Sequence, residues 1–88
     1  MITTAATIRA AIQVAQPLTV ACWVELDDWI DRNRLTTDRG ALVRTAQLME
    51  LWNVTQPTVS RRLAAINRCG LAEIFRADGH QGGWWVKR

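Results

Sequence analysis

Apolar positions along this chain recur at two different spacings, helical as far as Gly70 and strand-like beyond it. Between Thr3 and Gln16, the residues Ala5, Ile8, Ala11, Ile12 and Ala15 form one stripe, with Thr4 or Thr7 available as caps and Pro17 as a stop. That spacing predicts a first amphipathic helix over 3–16. Its narrow, Ala-rich stripe suits close packing and leaves two roles open: covering the domain core, or meeting the same helix of a second chain. A second helix is expected over 19–33 with Thr19 as its cap. Its apolar residues Val20, Cys22, Trp23, Val24, Leu26, Trp29 and Ile30 spread over more than one face, so it needs two packing partners. Arg34 to Gly40 is polar and ends in glycine, which reads as a loop, and Ala41 to Arg44 is too short for a helix.

The stretch Thr45 to Gly70 organises the rest. Ala46, Leu48, Met49 and Leu51 make one helical set, and Val59, Leu63 and Ile66 make another at i, i+4, i+7. The intervening residues Trp52-Asn53-Val54-Thr55 break the period. Asn53 tolerates the left-handed backbone of a helix end, Val54 is a lone apolar plug and Thr55 is a good N-cap. Pro57 falls in the first turn of the following helix, where its missing N–H is harmless, and Gly70 is suited to a left-handed cap. Thr45 is placed to cap the first helix of the pair. Beyond Gly70, Leu71 to Arg76 and Trp84 to Arg88 read as two strands flanking the Gly-rich turn 77–83, a β-hairpin. Trp84 and Trp85 must point to opposite sides of their strand.

The run Asn53-Val54-Thr55-Gln56-Pro57-Thr58-Val59-Ser60-Arg61-Arg62-Leu63 resembles the core of bacterial helix-turn-helix DNA-binding proteins, in both lactose-repressor-type and winged-helix regulators. Asn53 departs mildly from the glycine usual at that turn. The order of helices, short strand, helix pair and hairpin is similar to a winged helix-turn-helix domain with an extra N-terminal helix. The implied fold is a single domain over 1–88, mainly α with a small β-hairpin, in which Ala41–Arg44 is a short strand pairing with the wing. In it, Leu42 or Val43 would point inward and Arg44 outward.

The resemblance implies that the second helix of the pair enters the major groove of double-stranded DNA. Gln56 and Arg61 are then the base readers, since Gln matches adenine and Arg matches guanine bidentately. Thr58 and Ser60 suit phosphates, and Arg62 and Thr45 join the DNA-facing set. Arg76, His80, Gln81, Lys87 and Arg88 on the hairpin either reach the minor groove and phosphates or sit on a hairpin that only completes the core. A packed helical hairpin with two solvated arginines is the plainer account of Arg61 and Arg62.

Charge sharpens this picture. The chain has 88 residues and a formal charge of +3, too mild to imply nucleic acid by itself. From Asn53 onward, however, Arg61, Arg62, Arg68, Arg76, Lys87 and Arg88 face only Glu73 and Asp78. The part before it is slightly acidic, and its cluster of Asp27, Asp28 and Asp31 reads as a solvated helix surface with no partner base. Cys22 and Cys69 lie in separate apolar patterns, which fits reduced thiols in the cytoplasm, and with the lone His80 they lack zinc-ligand spacing. No cofactor, metal or membrane span is expected. A nucleophile–base pairing signature and a phosphate-cradling glycine loop are both missing, so an enzyme is not expected. The leading expectation is a small transcriptional repressor, a homodimer on a palindromic site with recognition helices about 34 Å apart. A winged-helix protein-interaction module, or a plasmid or phage replication or partition factor, is the alternative.

Overall fold

The computed structural model describes residues 17–88; the helix expected over 3–16 lies outside the described residues. The described chain is a small α/β domain of three helices and a four-stranded antiparallel sheet. Helix α1 spans Pro17–Arg32, β1 Thr36–Thr37, β2 Gly40–Arg44, α2 Thr45–Trp52, α3 Gln56–Arg68, β3 Glu73–Arg76 and β4 Gly83–Lys87. Pro17, expected just ahead of this helix, is the first residue of α1, where a locked φ and absent N–H cost nothing. Thr19 accordingly lies within α1 and is not its cap.

The sheet has one strand more than the expected hairpin and its short partner strand. Its strand order is β1-β2-β4-β3, so β2 pairs with the last strand and not with its sequence neighbour β3. The expected pairing of Ala41–Arg44 with the hairpin is present, through Ala41↔Val86, Leu42↔Trp85 and Val43↔Trp84. The predicted loop 34–40 instead contains β1, which pairs as Thr36↔Ala41 and Thr37↔Gly40. Two threonines carry no apolar alternation, so this strand exists only because β2 offers it an edge.

Alternation sorts the strand residues. Ala41, Val43, Ile74 and Val86 face the helices and are buried with Leu26, Ile30, Leu48, Val59, Leu63 and Ile66 in one core. Val43 rather than Leu42 is thus the fully inward residue, and Arg44 is exposed as expected. Leu42, Trp85 and Phe75 form a cross-strand row on the other side of the sheet, where Phe75 is exposed.

Local chemistry closes the helices much as the sequence implies. Asn53 takes φ 53°, ψ 54°, and the Asn53 and Val54 amides donate back to Glu50 and Met49 carbonyls, satisfying two otherwise orphan acceptors. At the end of α3, Gly70 has φ +75°, while the Gly70 and Leu71 amides reach the Asn67 and Ile66 carbonyls in the same arrangement. Thr55 stands at the N-cap of α3 in extended conformation, but its side chain makes no capping bond; its carbonyl accepts from Thr58 and Val59.

Cys22 is buried and its thiol pKa is raised, chiefly by desolvation, with the Arg62 charge opposing and the Glu25 charge reinforcing. Cys69, at the end of α3, is only partly buried. A thiol-specific maleimide added to the native protein at neutral pH is expected to label Cys69 first and Cys22 only on unfolding. Equal labelling rates, read by peptide mass, would mean that α1 does not bury Cys22.

Candidate nucleic-acid interface

Helix α3 is amphipathic with no acidic residue anywhere in QPTVSRRLAAINR. Val59, Leu63 and Ile66 are buried on one side. Arg61, Ala64 and Arg68, at i, i+3 and i+7, occupy the opposite side and are all exposed. Gln56 is exposed at the start of the helix, and Thr58 and Ser60 are half-buried on its flanks. The Arg61 guanidinium donates to Thr58 Oγ1 at 3.3 Å, one turn back, so this arginine is aimed toward the N-terminal end of α3. Arg68 was not among the expected contacts, although its seven-residue offset from Arg61 places both on one stripe.

Arg62 behaves differently from its neighbour. Its guanidinium carbon lies 5.5 Å from the centroid of the Trp52 ring, and its charge acts on the Cys22 thiol. It therefore packs toward α1 and α2, a cation held on an aromatic face, and is not part of the outward row. Trp52 is core, as expected, and its indole N–H is buried without a hydrogen-bond partner among the described residues.

A second group forms where the 77–82 loop meets the start of α2. The expected capping role of Thr45 is not the one it plays: Arg44 occupies the N-cap and Thr45 is the first helical residue. The Thr45 hydroxyl donates to the Gly82 carbonyl at 3.1 Å and accepts the Trp84 indole N–H at 3.0 Å. The Thr45 amide also donates to the Gly82 carbonyl, at 2.8 Å. The Arg44 amide donates to Gln47 Oε1, half of a capping box whose other half a guanidinium cannot supply. The Arg44 side chain reaches the Gln81 carbonyl at 3.3 Å, and Arg76 stacks at 4.8 Å over the Trp84 ring. The loop is thereby tied to α2 with Arg44, Arg76 and Gln81 gathered beside it; Arg76 through Gly83 line an open concavity. Arg44 is a second residue that the sequence reading left out of the site, though its place just before a helix N-terminus marked it.

Two of the expected hairpin contacts, Arg88 and Lys87, are placed elsewhere. Arg88 is bound to the acidic side of α1: its guanidinium meets Asp27 at 2.6 Å and Asp31 at 2.8 Å, and also donates to Thr36. Those bonds raise its pKa further and commit its charge. The acidic cluster is consequently partnered, not merely solvated, with Asp28 held by Arg32 at 2.9 Å. Lys87 follows Val86 in β4, so it projects from the side of the sheet away from the helices, beside Gly40 and next to Asp38, Arg39, Phe75 and Trp85. His80 leans edge-on against Trp85, centroids 6.4 Å apart. Trp84 and Trp85 do point to opposite sides, yet both are half-buried.

Among the described residues, Arg44, Arg61, Arg68 and Arg76 form no ion pair, and no cluster of three or more His, Cys, Asp or Glu side chains converges as a metal site. No helix among them is long and apolar enough to cross a membrane. Comparison with protein families, with curated proteins and with solved structures found no match to this chain.

Proposed function

We propose that the protein is a winged helix-turn-helix DNA-binding protein, acting as a homodimeric repressor on a palindromic site. The observation that carries this reading is the acid-free outer side of α3, where Arg61 and Arg68 stand exposed, with no ion pair among the described residues, opposite a fully buried apolar face. A helix of this kind fits the major groove, the N-terminal residues Gln56, Thr58 and Arg61 reaching base edges and Ser60 and Arg68 reaching the backbone. The β3–β4 hairpin is the wing, with Arg44, Arg76 and Gln81 beside its loop as phosphate ligands. Blocking polymerase at an operator asks nothing of the protein beyond this surface.

Lys87, Arg88 and Arg62 drop out of the contact set, which gives the reading a sharp internal control. Arg61→Ala is expected to weaken binding to the preferred duplex by about 1–3 kcal/mol and to relax one base position. Arg68→Ala should weaken all sequences alike and lower the salt slope by about one. Lys87→Ala should change neither. The check is selection of random duplex DNA by the purified protein at two salt concentrations, followed by affinity titration of each variant. A folded protein that retains no duplex at either salt would overturn the proposal.

A further inference from the structure

The side of the sheet turned away from the helices carries one row of apolar side chains. The registers Leu42↔Trp85 and Phe75↔Trp85 set the three residues next to one another across β2, β4 and β3. Phe75 is 44% exposed, the one exposed large apolar residue outside α1 among the described residues, and Leu42 and Trp85 are half-buried. Lys87, two positions beyond Trp85 in β4, projects from the same side. Phe75, Trp85 and Lys87 then line a single open concavity with Asp38 and Arg39 of the β1–β2 turn. His80 stands edge-on to Trp85 and braces it from the hairpin loop.

Charge and size decide what such a surface can hold. Lys87 and Arg39 are exposed and form no ion pair among the described residues, although Glu73 lies opposite Lys87 in the ladder. Aromatic rings with two uncommitted cations at their rim match a nucleic-acid strand, whose bases offer flat faces for stacking and whose phosphates need positive charge. A duplex keeps those base faces inside its own stack, so the strand must be unpaired. A second copy of the chain fits less well, since a stable interface covers about 800 Å² per partner and this row exposes only part of three side chains. A free small molecule fits less well too. The concavity measures about 290 Å³ and is open, below the range of about 300–1,000 Å³ for pockets that enclose a ligand, whereas a strand continues past it and gains contacts on both sides.

We propose that this side of the sheet binds single-stranded DNA. Bases stack on Trp85 and Phe75, Lys87 and Arg39 meet phosphates, and Asp38 accepts from a base N–H. The proposal rests on the preceding reading only for the choice of DNA over RNA, because base faces and phosphates are common to both. The helices, α3 included, pack against the opposite side of the sheet, so the strand surface and the duplex surface share no residue.

The test is fluorescence anisotropy of a labelled oligothymidylate of about ten nucleotides titrated with the full chain, beside an abasic strand, an oligouridylate and a duplex of the same length. The wild type should bind the abasic strand at least about tenfold more weakly than the oligothymidylate. Phe75→Ala should weaken single-strand binding about 5–150-fold, and Lys87→Ala should lower its salt slope by about 0.7. Both variants should keep wild-type circular dichroism and wild-type affinity for duplex. A folded wild type that binds no single strand, equal binding of the abasic strand, or a folded Phe75→Ala that binds like wild type would overturn the proposal. So would a wild-type dimer in sedimentation velocity that Phe75→Ala dissociates, which would assign the row to a second copy. Tighter binding of oligouridylate would overturn the choice of DNA. Should Phe75→Ala lose its circular dichroism signal, the abasic strand and Lys87→Ala decide the matter. If the single-strand losses appear as expected but random-duplex selection recovers nothing, the duplex reading fails and the strand surface stands.

Discussion

Gly40→Ala is expected to destabilise the domain by about 2–6 kcal/mol, because two independent penalties meet at one position. Gly40 has φ +108°, a backbone conformation that costs an L-residue about 1–3 kcal/mol. An added Cβ would also stand 2.7 Å from the Val86 carbonyl oxygen and 2.9 Å from Lys87 Cγ. The lysine can swing aside, but the carbonyl belongs to the β2–β4 ladder and cannot, so overpacking adds about 1–3 kcal/mol. The hairpin it closes is held by the Thr37 hydroxyl, which donates to the Gly40 carbonyl and accepts the Arg39 amide. Gly70→Ala is the matched comparison: φ is +75° but nothing lies within 4 Å, so only the backbone penalty applies. Equilibrium urea unfolding of the two variants separates the contributions. Equal losses would mean that the sheet does not approach Gly40 so closely.

Leu63→Ala should cost about 2–5 kcal/mol, by lost transfer energy and the cavity left between α1, α2 and α3. Leu63 is 1% exposed and sits in the same cluster as Leu26, Ile30, Leu48 and Ile66. At about 0.05–0.15 kcal/mol per residue, a domain of this size holds only about 4–13 kcal/mol in total, so the variant approaches unfolding at ordinary temperature. Thermal melting should fall by about 10–30 °C, whereas Ala64→Ser, on the exposed side, should stay within about 0.5 kcal/mol of wild type. The outcome bears on function as well as stability. The inward face of α3 determines which side Arg61 and Arg68 present, so a Leu63→Ala protein melting like wild type would remove the basis for the proposed DNA surface.

The parts of the fold that were readable in advance depend on neighbours within a few residues. The helical period of Val59, Leu63 and Ile66, the left-handed Asn53 and the proline at the start of α3 all act within one or two turns, and the structure places each where its local chemistry requires. The β3–β4 hairpin was readable for the same reason, its strands being separated by a short Gly-rich turn. Strand β1 was not, because Thr36 and Thr37 have no pattern of their own and are ordered by β2.

The candidate site divides along the same line. Sequence spacing alone determined that α3 has an apolar and a basic side, since 3.6 residues per turn places Arg61 opposite Leu63 whatever the rest of the chain does. It also contained the Arg61–Arg68 stripe that a seven-residue count would have found. Only the tertiary structure decided which cations carry no ion pair among the described residues. Arg88 meets Asp27 and Asp31 across more than fifty residues of chain, and Thr45 meets Gly82 and Trp84 across nearly forty. Arg62 is drawn onto Trp52 and Lys87 is turned to the far side of the sheet. Each of these placements depends on distant elements being brought together by burial of the core, and a linear pattern holds no record of which side chains that burial sets side by side.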